Sequence, residues 1–135
     1  MVTQTTECKR VLAMRLNPGE DILQSLRAAV KENNIQNGFF LGGAGSVSRY
    51  RVHVVETTNL PPGDLFFEED GPYDVLDVTG VVINGRVHAH IVFSDKEKAS
   101  GGHLEEGCTV LTFAMIVLAE TPGVDLTDWD SIRSL

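Results

Sequence analysis

Hydrophobic and polar positions alternate along this chain with two different periods. Ile22, Leu23, Leu26, Ala29 and Val30 fall at i, i+1, i+4, i+7 and i+8, which is one face of an amphipathic helix. The pattern fades at Asn33-Asn34. Asn17 is suited to cap this helix, with Pro18 at its first position and Glu20 and Asp21 in its first turn. Elsewhere the period is two. Cys8–Leu16 alternates imperfectly and reads as a strand. So do Tyr50–Glu56, Tyr73–Ile83, Val87–Phe93 and Cys108–Leu118. Asn84-Gly85, between two such runs, predicts a tight hairpin.

Two polar or glycine-rich stretches separate these runs. Residues 57–72 hold three prolines, two glycines and the acidic run Glu68-Glu69-Asp70, and they read as a loop. Gly42-Gly43-Ala44-Gly45-Ser46 has no following Lys-Ser or Lys-Thr and precedes a strand. It reads as a bulge or a close strand crossing rather than a phosphate cradle.

The order is strand, helix, then several strands. Without regular strand–helix alternation this predicts an α+β fold, a mostly antiparallel β-sheet with one principal amphipathic helix near the N-terminus. A length of 135 residues fits a single domain over residues 1–135. The strand Val110–Leu118 is apolar on both faces, which favours burial on both sides, as an oligomer interface would supply.

Charge narrows the partners. Eleven Lys and Arg face nineteen Asp and Glu, a formal net charge of −8. Binders of DNA, RNA and anionic membranes cluster basic residues. Here the nearest approach to a cluster is Arg49 and Arg51. The longest apolar stretch, Val110–Ala119, is well short of the roughly 20 residues that span a bilayer. The first ten residues lack the order of a signal peptide, and two distant cysteines make no disulfide framework. A cytoplasmic protein is expected.

The candidate chemistry is histidine. His88 and His90 flank Ala89 and project to the same face of a strand. His103 follows the segment 94–100, and a turn there returns it to the pair. Three neutral imidazoles suit zinc or another borderline divalent ion and leave a position open for water. The same spacing also occurs in polar-packed surface histidines, so spacing alone leaves both readings open. His53, in Val52-His53-Val54, reads as a strand-face residue. Were a metal to activate water or a carbonyl, Asp95 and Glu105 are the nearest acids in sequence to serve as a base. No Gly-x-Ser-x-Gly motif and no catalytic cysteine context is found, so no catalytic residue is assigned. A cupin-like site would need a glutamate soon after His-x-His, and residues 91–94 contain none.

Several motifs occur in an order that resembles the prokaryotic PPC (plants-and-prokaryotes-conserved) family. They are His88-Ala89-His90-Ile91 followed by Asp95, and Gly101-Gly102-His103-Leu104-Glu105-Glu106-Gly107-Cys108. Arg15-Leu16 and Gly19-Glu20 ahead of the helix, Phe39-Phe40 to Gly45, and Tyr73-Asp74-Val75-Leu76-Asp77-Val78-Thr79-Gly80 fit as well. The resemblance implies a homotrimer, a DNA-associated or regulatory role, and a metal site at His88, His90 and His103. Relatives carry an acid in the strand after the glycine-cysteine pair. Here that stretch is Thr112-Phe113-Ala114-Met115-Ile116. In plants, DNA contact comes from a separate Arg-Gly-Arg-Pro hook, which this sequence lacks. The resemblance therefore points to assembly and recruitment of protein partners more than to enzymatic catalysis.

Overall fold

A computed structural model describes residues 1–133. In chain order it contains β1 (Arg10–Leu16), α1 (Ile22–Glu32), β2 (Gly38–Val55), β3 (Asp64–Ile83), β4 (Arg86–Ser94), β5 (Ala99–Leu104) and β6 (Thr109–Glu120). The expected α+β class holds, with one helix on a wholly antiparallel sheet of order β1-β6-β2-β3-β4-β5. No helix among the described residues is long and apolar enough to cross a membrane.

The sheet closes on itself. One edge of β2 pairs with β6 over Gly38–Arg49 and with β5 at Val52 and His53. Strands β2, β3, β4 and β5 therefore form a ring. The inner side holds the core, built from Val47, Val52, Val78, Ile91, Phe93, Leu104, Ile116 and Leu118, with the face Ile22, Leu23, Leu26 and Val30 of α1 packed into it. Each large aliphatic side chain buried this way contributes about 1.5–3 kcal/mol relative to exposure. Tyr50 stacks on Phe93 at 4.2 Å between centroids and meets Tyr73 edge-on.

The helix begins later than the sequence suggested. Asp21, not Asn17, is its cap. The backbone at Asp21 is extended (φ −84°, ψ 127°) because it bridges to Thr109, so Asn17–Glu20 forms a turn instead of a first helical turn. Asp21 Oδ1 accepts from the Gln24 amide at 2.9 Å and Oδ2 from the Gly107 amide at 2.6 Å. A cap of this kind is worth about 1 kcal/mol. The second bond also ties the helix start to the segment leading into β6.

Residues 57–72 also depart from the expected loop. The connection shortens to residues 56–63, and the acidic run becomes strand. Glu68, Glu69 and Asp70 stand opposite Arg51, Tyr50 and Arg49 in the β2–β3 register. Arg49 binds Glu68 at 2.9 Å and Asp70 at 2.8 Å. Opposite charges facing each other across strands stabilise the pairing, which overrides a local composition that reads as loop.

Asn84-Gly85 makes the expected hairpin turn, with φ +50° and +77°. Beyond it, Gly101 and Gly102 let β5 press between its neighbours. A Cβ on Gly101 would lie 2.4 Å from the Ile91 carbonyl oxygen, and one on Gly102 would lie 2.6 Å from that of His53. Only glycine admits this approach. The pair thus fixes the position of the residue that follows, His103.

Candidate metal site

The register of three strands brings the histidines together. His103 on β5 is the Cα partner of His90 on β4 and of His53 on β2. The three therefore form a row across the sheet, and His88 sits two residues along β4 from His90. On β4 the neighbours Val87, Ala89 and Ile91 are buried in the core, so the histidines occupy the opposite side. They open onto a cleft of about 660 Å³ also lined by Val54, Val55, Asp64, Arg86 and Asp130.

Ring centroids are separated by 5.6 Å for His88–His90, 4.8 Å for His88–His103 and 5.7 Å for His90–His103, at interplanar angles of 40° to 63°. Tetrahedral binding with imidazole nitrogens about 2.0–2.1 Å from an ion sets ring centroids about 5 Å apart. The fit is close. His53 and His103 differ: their rings stack at 4.4 Å and 25°. Parallel stacked rings are poorly disposed to converge on one ion. Even so, ligand atoms of His53, His103 and Glu105 all lie within 4.8 Å of one another, a His/Glu group that could itself hold a metal.

Carboxylates surround the cluster. Glu105 Oε1 lies 2.7 Å from His53 Nδ1 and 3.1 Å from His103 Nδ1. Asp130 Oδ2 lies 3.0 Å from His88 Nδ1. An ionised carboxylate only accepts, so each Nδ1 must carry the proton. In the neutral rings of His88 and His103 the lone pair is then left on Nε2, where a metal can take it. His53 Nε2 is 3.5 Å from Asp64. His90 has no hydrogen-bond partner among the described residues.

Burial, then the neighbouring His88 and His53, push the His90 imidazole below its ordinary value. Burial, then His53 and His88, do the same to His103, with Glu105 opposing. Both rings are therefore neutral near pH 7, the form that binds metal. Three carboxylates (Asp64, Glu105, Asp130) against one guanidinium (Arg86) leave the surroundings negative, which favours a cation.

His53 sits in the cleft as well as on a strand face, a placement that local sequence could not show. Its only signal would have been the β2–β5 pairing that sets it opposite His103. Asp130 had none, lying 42 residues from His88. Asp95 is elsewhere: it caps the β4–β5 turn through the amides of Glu97 and Lys98 and borders a separate cleft beside Tyr73. Cys108 is buried, and desolvation pushes its thiol up to about 11.

Residues 3–122 match the model of the Plants and Prokaryotes Conserved (PCC) domain, abbreviated PPC above. The chain belongs to this family. It is 32% identical over 114 residues to the Bifunctional protein GlmU of Synechococcus sp. (strain JA-2-3B'a(2-13)), a match covering 84% of this chain and 17% of that protein. The chain thus spans a small part of that relative. Among solved structures, a plant- and prokaryote-conserved (PPC) protein from Pyrococcus horikoshii is 25% identical with a TM-score of 0.79, over 93% of this chain and 87% of that one. A metal-containing protein from Archaeoglobus fulgidus has a TM-score of 0.81 at 17% identity, covering 93% and 89%, and shares the fold.

Proposed function

We propose that this PPC domain is an assembly module that holds one divalent cation, zinc by donor type, on His88, His90 and His103. The observation that carries this reading is the near-equal spacing of the three rings, 4.8 to 5.7 Å, on a face set by β-sheet register. Neutral imidazole is a borderline donor that suits zinc. Glu105 and Asp130 supply the outer carboxylates that hold His103 and His88 in the binding tautomer. The metal content of the Archaeoglobus protein of the same fold agrees with this reading. Elemental analysis of purified native protein tests it. One equivalent of zinc per chain is expected, falling to none in His103→Ala. A metal-free native protein that takes up no zinc on titration would overturn it.

The assembly is a homotrimer in this reading. Its surface is the outer side of β6 with its neighbour on β2, where Leu111, Phe113, Met115 and Leu41 are exposed while Val110, Ala114 and Ile116 face the core. Large apolar side chains left exposed along one strand favour an interaction site there. Its regulatory role lies in recruiting protein partners, with any association with DNA made through them.

Catalysis is the second reading, favoured by the cleft beside the histidines. A bound zinc would lower the pKa of water toward 7 and supply a nucleophile. Hydrolysis of an activated ester above the buffer rate, lost in His103→Ala, would establish it.

A further inference from the structure

The family match ends at residue 122, yet one residue lining the histidine cleft, Asp130, comes from beyond it. We infer that the C-terminal segment is a strap that positions His88 for metal through Asp130. This rests on the reading of His88 as a ligand and names a further residue that tunes that site.

The segment is anchored at several points. The Asn37 amide donates to the Val124 carbonyl at 3.1 Å. The Asp125 amide donates to Gln4 Oε1 at 2.9 Å. Leu126 is 3% exposed. Asn84 Nδ2 donates to Thr127 Oγ1 at 3.0 Å, fixing the strap to the β3–β4 turn. These contacts hold Asp130 over the start of β4. There its carboxylate reaches Arg86 at 2.9 Å and His88 Nδ1 at 3.0 Å.

The Asp130 side chain is 12% exposed. Its carboxylate is shared between the Arg86 guanidinium, 2.9 Å from both oxygens, and His88 Nδ1. An ionised carboxylate can bond His88 only with the proton on Nδ1, which leaves Nε2 as the atom free to take a metal. Glu105 performs the same task for His103 from within the family domain. Asp130 is the counterpart that this chain adds from outside it. Removing an outer carboxylate of this type costs about 10–100-fold in metal affinity.

The test uses the full chain, zinc competed against a chromophoric chelator, and nitrogen-15 NMR of the histidine tautomers in metal-free protein. Asp130→Asn keeps the shape, but its amide can donate to an unprotonated Nδ1. A loss of about 10–100-fold in zinc affinity is expected, with Asp130→Glu recovering part of it. In metal-free protein, His88 should carry its proton on Nδ1 in the native chain and shift toward the Nε2–H tautomer in Asp130→Asn. Arg86→Gln, which leaves the His88 bond in place, should give a smaller loss. Unchanged affinity and unchanged tautomer in Asp130→Asn would overturn the inference while leaving the histidine site standing. A native chain that binds no zinc would overturn the site itself, and the tautomer measurement would still decide whether Asp130 sets His88.

Discussion

On β4, Val87, Ala89, Ile91 and Phe93 face the core and are buried, while His88 and His90 between them face the cleft and are open to solvent in part. The two rows share one backbone. The inner row is held by contacts from every direction: Phe93 lies against Tyr50 and Tyr73, and Ile91 lies within the cluster that includes α1. The outer row is held from the side only, by His103 across the strand and by the Asp130 carboxylate on His88. The inner face makes the fold, and the outer face can change without unmaking it.

The largest effect should therefore fall on the inner row. Phe93→Ala removes a fully buried ring and should cost about 3–5 kcal/mol, read by chemical denaturation. His90→Ala on the same strand should leave the metal-free stability within about 0.5 kcal/mol, as surface substitutions do. Equal losses in the two variants would break the division between the faces.

Metal should couple the outer row to the fold. At a free zinc concentration about 100-fold above its dissociation constant, the native chain should gain about 2.7 kcal/mol. His103→Ala should gain nothing. Removing zinc with a chelator should return the native chain to its metal-free midpoint. A gain that persists in His103→Ala would place the ion outside both histidine groups, since His103 belongs to each.

The two faces also differ in how they could be read from sequence. The inner face announced itself through period: Val87, Ala89, Ile91 and Phe93 alternate, and α1 shows its buried stripe at helical spacing. The His88–His90 pair was legible for the same reason. What brings His53 and Asp130 to that pair is long-range register and a strap, neither of which has a local signal. The acidic run Glu68-Glu69-Asp70 failed as a loop for a related reason, since its partners Arg49 and Arg51 lie across a hairpin from it. The helix cap moved to Asp21 because a bridge to Thr109 holds the backbone there extended. Local pattern finds elements, and pairing between them decides where the polar residues meet.

The outer face is itself divided between the histidines and the apolar surface of β6. Met115 is 55% exposed and Leu41 62%, without partners among the described residues that cover them. Phe113→Glu with Met115→Glu places charge at the centre of that surface. Light scattering should report a trimer for the native chain and a monomer for the double variant, with the core unaffected. A native monomer would remove the assembly reading, and a trimer that survives both charges would move the interface elsewhere.

The smallest effect is expected with DNA. Phosphate binding draws its free energy from unpaired Lys and Arg that release counterions. Here Arg49 is held by Glu68 and Asp70, Arg51 lies near Glu68, Arg27 meets Glu106, and Arg86 meets Asp130. Against a net charge of −8, no gel shift is expected at micromolar protein in low salt. A shift in the native chain that weakened steeply with added salt would show a direct phosphate contact and return nucleic acid to the reading. Glu68→Gln with Asp70→Asn sharpens the question, because it frees the arginines of β2 while leaving their positions in the strand. If pairing is what silences them, this variant should begin to shift DNA weakly where the native chain does not, and the histidine face should keep its zinc in both.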